Sequence, residues 1–319
     1  MKRNKKYLMI LSSLLLLCFV TIGCNNQSSN ETDEEKVVRI GYQKNGPLFI
    51  VKSRGTLEES LKELGFTVEW KEFQDGPSLL EALNAGSIDF GRTGNTPPIF
   101  SQAAGSQLTY VAAGFSKYEG SGILIKNDST ITSLAELKGK KIAFSKGSSS
   151  HYLLVKALAS VGLSLNDIEP AYLTPGNARI AFEQDQVDAW VVWDPYTSST
   201  EVNANAKLLV NGEGLTSDRD FFVSTEDFAT NEEEALTAVL NEVDASMDWA
   251  NSHHEELIEL LATELKMDEA SVTLAVERRV YGVEDINDEI LKEQQEMADL
   301  FYTLEIIPNE IDVNEAVKQ

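Results

Sequence analysis

Ile40-Gly41-Tyr42-Gln43-Lys44-Asn45-Gly46 and Ile142-Ala143-Phe144-Ser145-Lys146-Gly147-Ser148 share one pattern: an apolar strand feeding a polar turn that bears Lys and Gly, with a helix behind it. A second pair of stretches follows at a similar distance. Gly86-Ser87-Ile88-Asp89-Phe90-Gly91-Arg92-Thr93-Gly94-Asn95-Thr96-Pro97 answers to Gln186-Val187-Asp188-Ala189-Trp190-Val191-Val192-Trp193-Asp194-Pro195. In each, a residue suited to capping, Asn95 or Asp194, stands six places after the Asp that opens the strand. Two related α/β lobes, each offering two strand-to-helix turns to a common cleft, suit a small ligand held between them.

Working outward, Val37–Tyr42, Thr67–Phe73, Ile88–Arg92 and Leu108–Phe115 read as strands, with helical patterns at Leu48–Leu64, Ser78–Ala85 and Pro97–Ala104. From Gly122 the alternation restarts. Strands are expected near Ile123–Ile125, Lys141–Phe144, Glu169–Leu173 and Ala189–Val192, and helices at Ser133–Leu137, Ser149–Val161 and Asn177–Gln184. After a strand at Phe221–Ser224, Asn231–Leu304 is almost entirely helical in pattern and is expected to return to the first lobe. The fold class is therefore α/β: two doubly wound parallel-sheet lobes with a cleft between them and a largely helical C-terminal part. Residues 37–119 and 220–319 form the first lobe, and 120–219 the second. Two Gly-bearing crossings, near Lys117–Gly122 and Asn211–Phe222, would act as a hinge.

The first residues read as a secretion signal, residues 1–23. Lys2, Arg3, Lys5 and Lys6 precede an apolar run from Tyr7 to Ile22, which is short of the ~20 residues that a spanning helix needs. Gly23-Cys24 follows as in bacterial lipoprotein signals, although Thr21 stands where Leu, Val or Ile is usual. Cys24 would then carry the lipid, and residues 24–36 a polar, disordered tether spanning roughly 20 Å. The alternatives are an uncleaved anchor or a free buried thiol. Cys18 and Cys24 are the only cysteines, so the mature body would hold no disulfide, no thiolate nucleophile and no Cys-based metal site.

The formal net charge is −24, and it becomes −28 without the four basic residues of the leader. That balance speaks against nucleic acid as a partner, but not against a small anion bound by local donors. Ser148-Ser149-Ser150-His151 opens a helix directly after a strand, where unpaired backbone N–H groups and hydroxyls form a donor cluster suited to an anion. Simple N-capping needs only one of these serines. Gly94-Asn95-Thr96-Pro97-Pro98 is the matching turn of the first lobe, with Asn95 and Thr96 as neutral donors or caps and Pro97 in the first helical turn. Trp193 at the end of its strand could close over an aliphatic tail or belong to the core, and Asp194 could cap the helix beyond Pro195. Gln43 offers amide donors without the cost of a buried charge. Lys44, Gly46, Arg92, Lys146 and His151 stand near the same turns. Of Arg278 and Arg279, one is expected in the cleft and the other in solvent.

Signals for catalysis are few. The chain has three His, no His-Glu-x-x-His and no phosphate-loop lysine, and Ser148–His151 lies on one helix turn without a base-orienting partner. We therefore read it as a non-enzyme with neither metal nor cofactor.

These residues resemble the aliphatic sulfonate-binding proteins that serve ABC importers. The resemblance runs from about residue 37 to the C-terminus and includes Ile40–Lys44, Gly76-Pro77, Leu80–Asn84, Gly86–Asp89, Gly94–Phe100, Lys146–His151, Tyr172–Pro175, Val187–Trp190, Trp193–Tyr196 and Ala298–Tyr302. It implies a type II periplasmic-binding fold and a monomer that binds and releases an alkanesulfonate without turnover. It also implies delivery to an ABC permease and its ATPase from the extracytoplasmic face of the cell membrane, where the lipid would hold the protein. By the same resemblance Arg279, rather than Arg278, faces the ligand. Arg92 and Asn95 depart from the pattern, since relatives usually carry a small residue at the first position and often Asp at the second. Taurine, nitrate or a pyrimidine on the same fold, and carbon–sulfur bond cleavage, are the alternatives.

Overall fold

The computed structural model describes residues 36–44 and 46–318. The expected leader, Cys24 and the tether as far as residue 35 lie outside the described residues. Lys36, counted above with the tether, opens the first strand and pairs with Glu232 at 2.7 Å.

The chain begins with β1 (Lys36–Tyr42), α1 (Pro47–Arg54), α2 (Leu57–Glu63), β2 (Phe66–Glu72), α3 (Gly76–Asn84), β3 (Phe90–Gly94), α4 (Thr96–Ala103) and β4 (Thr109–Gly114). The single helix expected over Leu48–Leu64 is divided. Gly55 takes a left-handed φ of 70° and its N–H bonds the Val51 carbonyl, which ends α1 and lets α2 start in a new direction. The second lobe runs β5 (Ser121–Lys126), β6 (Lys141–Phe144), α5 (Ser149–Ser160), β7 (Glu169–Tyr172), α6 (Pro175–Glu183), β8 (Ala189–Trp193), α7 (Tyr196–Asn203) and β9 (Ala206–Asn211). α7 is the helix expected beyond Pro195, whereas β9 escaped the sequence reading. The chain then returns through β10 (Asp220–Ser224), α8 (Glu226–Asn231), α9 (Glu233–Ser252), α10 (His254–Leu265), α11 (Glu269–Glu277), β11 (Val283–Glu284) and α12 (Asp288–Thr303).

The strands form two sheets, in the orders β11-β4-β10-β3-β1-β2 and β7-β6-β8-β5-β9. The α/β plan with two sheets holds, but each sheet is mixed rather than parallel. β1 pairs parallel with β2 and β3, and β6 with β7 and β8. β10 and β5 run against their neighbours. The reason lies in the crossings. Ser121, first in β5, pairs with Trp193, last in β8; Asp220, first in β10, pairs with Gly94, last in β3. Each crossing enters its new lobe at the cleft end, where the βα strands finish, so the strand it starts must run away from the cleft.

Apolar clusters cover both faces of both sheets. The amphipathic α9 packs on α1 and α2, and α12 packs on α4, so the late helical segment returns to the first lobe. α11 instead reaches across to α7 of the second. The crossings lie side by side: Lys117 N–H donates to the Ser217 carbonyl at 3.1 Å, and Gly212 N–H to the Tyr118 carbonyl at 3.1 Å.

Candidate functional site

Arg92 enters the cleft from β3, just before the turn into α4. Its side chain lies beneath Gly46, where an added Cβ would come within 3.0 Å of Nη1. Nη2 pairs with Asp220 Oδ1, and Nη1 donates to Gln43 Oε1 at 3.1 Å. A guanidinium carries no acceptor, so that contact fixes the Gln43 amide with Oε1 toward Arg92 and Nε2 pointing away. Gln43 and Arg92 are both buried, and Gln43 Nε2 and Arg92 Nε have no hydrogen-bond partner among the described residues. Two buried donors left this way cost free energy unless something accepts from them.

Asp220 is the anchor of the cluster and is fully buried. Arg279 Nη2 bonds its Oδ2 at 2.5 Å and Lys117 Nζ lies 3.6 Å from Oδ1. Burial alone would raise its pKa, but Arg92, Lys117 and Arg279 together overcome burial and hold the carboxyl well below the usual carboxylate range. Lys117 also bonds Asp218 at 2.7 Å, and Ser121 Oγ donates to the same carboxylate.

Around this cluster lie three cavities. The central one is lined by Gln43, Arg92, Pro97, Ser148, Ser149 and Trp193. A charged one adjoins it through Arg92, Lys117, Trp193 and Asp218, and adds Asp194, Arg278 and Arg279. An apolar chamber follows, sharing Asp194, Ala275 and Arg279 with the charged cavity and bordered by Lys44 and Gly46.

The residues singled out in the sequence are therefore spread over several places. Gln43, Arg92, Ser148, Ser149 and Trp193 meet at the central cavity. Asn95 lies behind it, accepting from Ser149 Oγ at 2.9 Å. Thr96 is fully buried, its hydroxyl against Asn95 Oδ1 and Met297 sulfur. Ser150 is buried and shares a 2.8 Å hydrogen bond with Ser148, so the serine run is partly spent on its own helix start. His151 packs among Phe100, Phe144 and Phe301, with Gly147 N–H donating to its Nδ1. Burial, helped by nearby Lys146, pushes its pKa down to about 4. Lys146 is itself exposed, 5.6 Å from the Tyr172 ring and away from the three cavities.

Close homologues identify this architecture. A protein of Escherichia coli (strain K12) named as a putative aliphatic sulfonates-binding protein is 38% identical over 306 residues, 95% of this chain and 94% of that one. Its namesake in Bacillus subtilis (strain 168) is 36% identical over 317 residues, 98% of this chain and 94% of that one. The chain belongs to the aliphatic sulfonate-binding protein family. The broader family described as NMT1/THI5 like matches residues 61–257. Among solved structures, the alkanesulfonate-binding protein from Xanthomonas axonopodis pv. citri, bound to MOPS, superposes with a TM-score of 0.85 at 39% identity, covering 88% of this chain and 98% of that one.

In this member of the family, Arg278 departs from expectation. It is not in solvent: its Nη1 forms an ion pair with Glu201 of α7 at 2.7 Å and lies 4.0 Å from Asp194, tying α11 to the second lobe. Asp194 accepts from the Ser198 N–H at 2.8 Å and so caps α7. Burial raises its pKa to about 6, against the lowering effect of that hydrogen bond and of Arg278. Asp218, Asp220 and Lys117 were missed. They lie in or beside the crossings, where no motif marks them; the signal available was the charged composition of segments expected to be a hinge. Among the described residues no group of three His, Cys, Asp or Glu is placed to hold a metal ion.

Proposed function

We propose that this protein captures alkanesulfonates between its lobes and hands them to an ABC permease. The observation that carries this is the pair of buried donors, Gln43 Nε2 and Arg92 Nε, on the wall of an interlobe cavity. Ser148 and Ser149, at the start of the twelve-residue α5, stand on the same wall, where the helix dipole favours an anion. A sulfonate has three oxygens for such donors and one charge for a site whose cations are mostly balanced by Asp218 and Asp220. The relatives named for aliphatic sulfonates support the same class of ligand.

In this reading the first lobe (37–119 with 220–319) and the second (120–219) close about the two crossings, and the protein binds and releases without turnover. Lipid on Cys24 would hold it at the extracytoplasmic face. A second reading is taurine, favoured by the Asp194 carboxylate in the charged cavity, which an ammonium group could meet.

Thermal unfolding of the compact body from residue 35 onward tests this against methane-, ethane-, butane- and aromatic sulfonates, taurine, sulfate, nitrate and a pyrimidine. A ligand at a thousandfold excess over its Kd stabilises the folded state by about 4 kcal/mol. Stabilisation by alkanesulfonates supports the proposal. Stabilisation by taurine, nitrate or a pyrimidine alone would reassign the ligand.

A further inference from the structure

We infer that the preferred ligand carries a hydroxyl group close to its sulfonate, and that Asp218 is the residue that selects it; this rests on the sulfonate reading above. Asp218 is buried and lines both the central and the charged cavity. Its Oδ2 is taken by the first crossing, accepting from Lys117 Nζ at 2.7 Å and from Ser121 Oγ. Its Oδ1 is buried and has no hydrogen-bond partner among the described residues. The backbone there is fixed as well: Asp218 takes a left-handed φ of 44°, which Asp tolerates, and its N–H donates to Thr216 Oγ1 at 3.0 Å.

The walls of the central cavity thus carry orphaned atoms of both kinds: the donors Gln43 Nε2 and Arg92 Nε, and the acceptor Asp218 Oδ1. A plain alkanesulfonate satisfies only the donors and leaves a buried carboxylate oxygen bare, which costs free energy. A ligand with an O–H or N–H beside its sulfonate satisfies them all. Charge decides between those two. Arg92, Lys117 and Arg279 surround Asp218 and Asp220, one cation more than carboxylates, and a single sulfonate balances that excess. An ammonium group on the ligand would cancel the balance, and it would share a carboxylate with the Lys117 ammonium, where like charges repel. A hydroxyl donates without bringing charge. Asp194, which an ammonium could otherwise meet, borders the charged cavity and not the central one. The substrate class is therefore short hydroxyalkanesulfonates.

The test is isothermal titration of the full chain with hydroxyethane-, fluoroethane- and propanesulfonate and with taurine, for the wild type and Asp218→Asn. The fluoro and methyl groups fill the place of the hydroxyl but cannot donate. In the wild type, hydroxyethanesulfonate should bind at least about tenfold tighter than each of the others. In Asp218→Asn, where Lys117 and Ser121 keep the amide oxygen and the amide N–H groups turn to the cavity, that lead should shrink to about threefold or less. The wild-type comparison needs no variant, so it decides even if Asp218→Asn fails to fold. Fluoroethane- or propanesulfonate binding as tightly as hydroxyethanesulfonate, or a lead that survives Asp218→Asn undiminished, overturns the inference and leaves the sulfonate reading standing. Taurine binding tightest also overturns it, in favour of Asp194 as the selecting carboxylate. Failure of every sulfonate to bind the wild type overturns both readings.

Discussion

Ser149 Oγ donates a 2.9 Å hydrogen bond to Asn95 Oδ1, joining the start of α5 in one lobe to the start of α4 in the other. The contact is possible because the residue before Asn95 is Gly94. A Cβ at that position would run into Ser149 Oγ. The lobes meet here directly, behind the central cavity, and the neighbouring seam of His151, Phe100 and Phe301 is aromatic.

Gly94→Ala should therefore act on closure rather than on folding. Ser148 and Ser149 share a cavity with Gln43 and Arg92 in this conformation, and under the proposed closure a loss of closed population appears as a proportional rise in Kd. A weakening of at least about tenfold, or 1.4 kcal/mol, is expected, with Tm moved by no more than about 2–4 °C. Titration of an alkanesulfonate alongside a melting curve checks this. Unchanged affinity would show that the lobes need not touch here.

Asp220→Asn removes the one carboxylate that Arg92, Arg279 and Lys117 share. Stranding buried cations costs about 3–5 kcal/mol, read from the denaturant midpoint. Added sulfate should recover part of that loss, because an anion in the cleft replaces the missing charge; a variant weakened only in packing would not respond.

Arg92→Ala should be milder for stability, since Asp220 keeps Arg279 at 2.5 Å and Lys117 at 3.6 Å. Its effect belongs to the ligand. Without the Nε donor and the contact that orients Gln43, the smallest sulfonates, which depend most on the head group, should lose most affinity. The ranking of the sulfonate series checks this, and an unchanged ranking removes Arg92 from the site.

The sequence discloses the site unevenly, for physical reasons. Local patterns fix the four strand-to-helix turns, and with them Gln43, Ser148, Ser149 and Trp193. Strand direction is different: β5 and β10 look like any short apolar strand, and their reversal follows from where the crossings enter. The Asp220 cluster is non-local, joining β3, β10 and the end of α11, so no spacing announces it. Arg278 and Arg279 are adjacent in the chain, yet one pairs with Asp220 and the other with Glu201. Only the packing of α11 on α7 separates their roles.

Acid stability should rest on two buried groups that oppose one another. Asp194 is raised from 3.8 to about 6, mainly by burial, so the folded state holds its proton more tightly. That stabilisation is complete below pH 4 and is lost as pH rises through 6. His151 is lowered from 6.5 to about 4, again mainly by burial, so the unfolded chain takes the proton first. Its contribution is complete above pH 6.5 and fades as pH falls toward 4. Each is worth about 3 kcal/mol, so the wild type should change little in stability between pH 6.5 and 4. Asp220, held low, adds its own loss only below that window. Asp194→Asn should make stability fall steeply across the window, whereas His151→Phe should make it rise as pH drops. Denaturant midpoints at half-unit pH steps read both slopes, and slopes of the same sign in the two variants would refute the opposition.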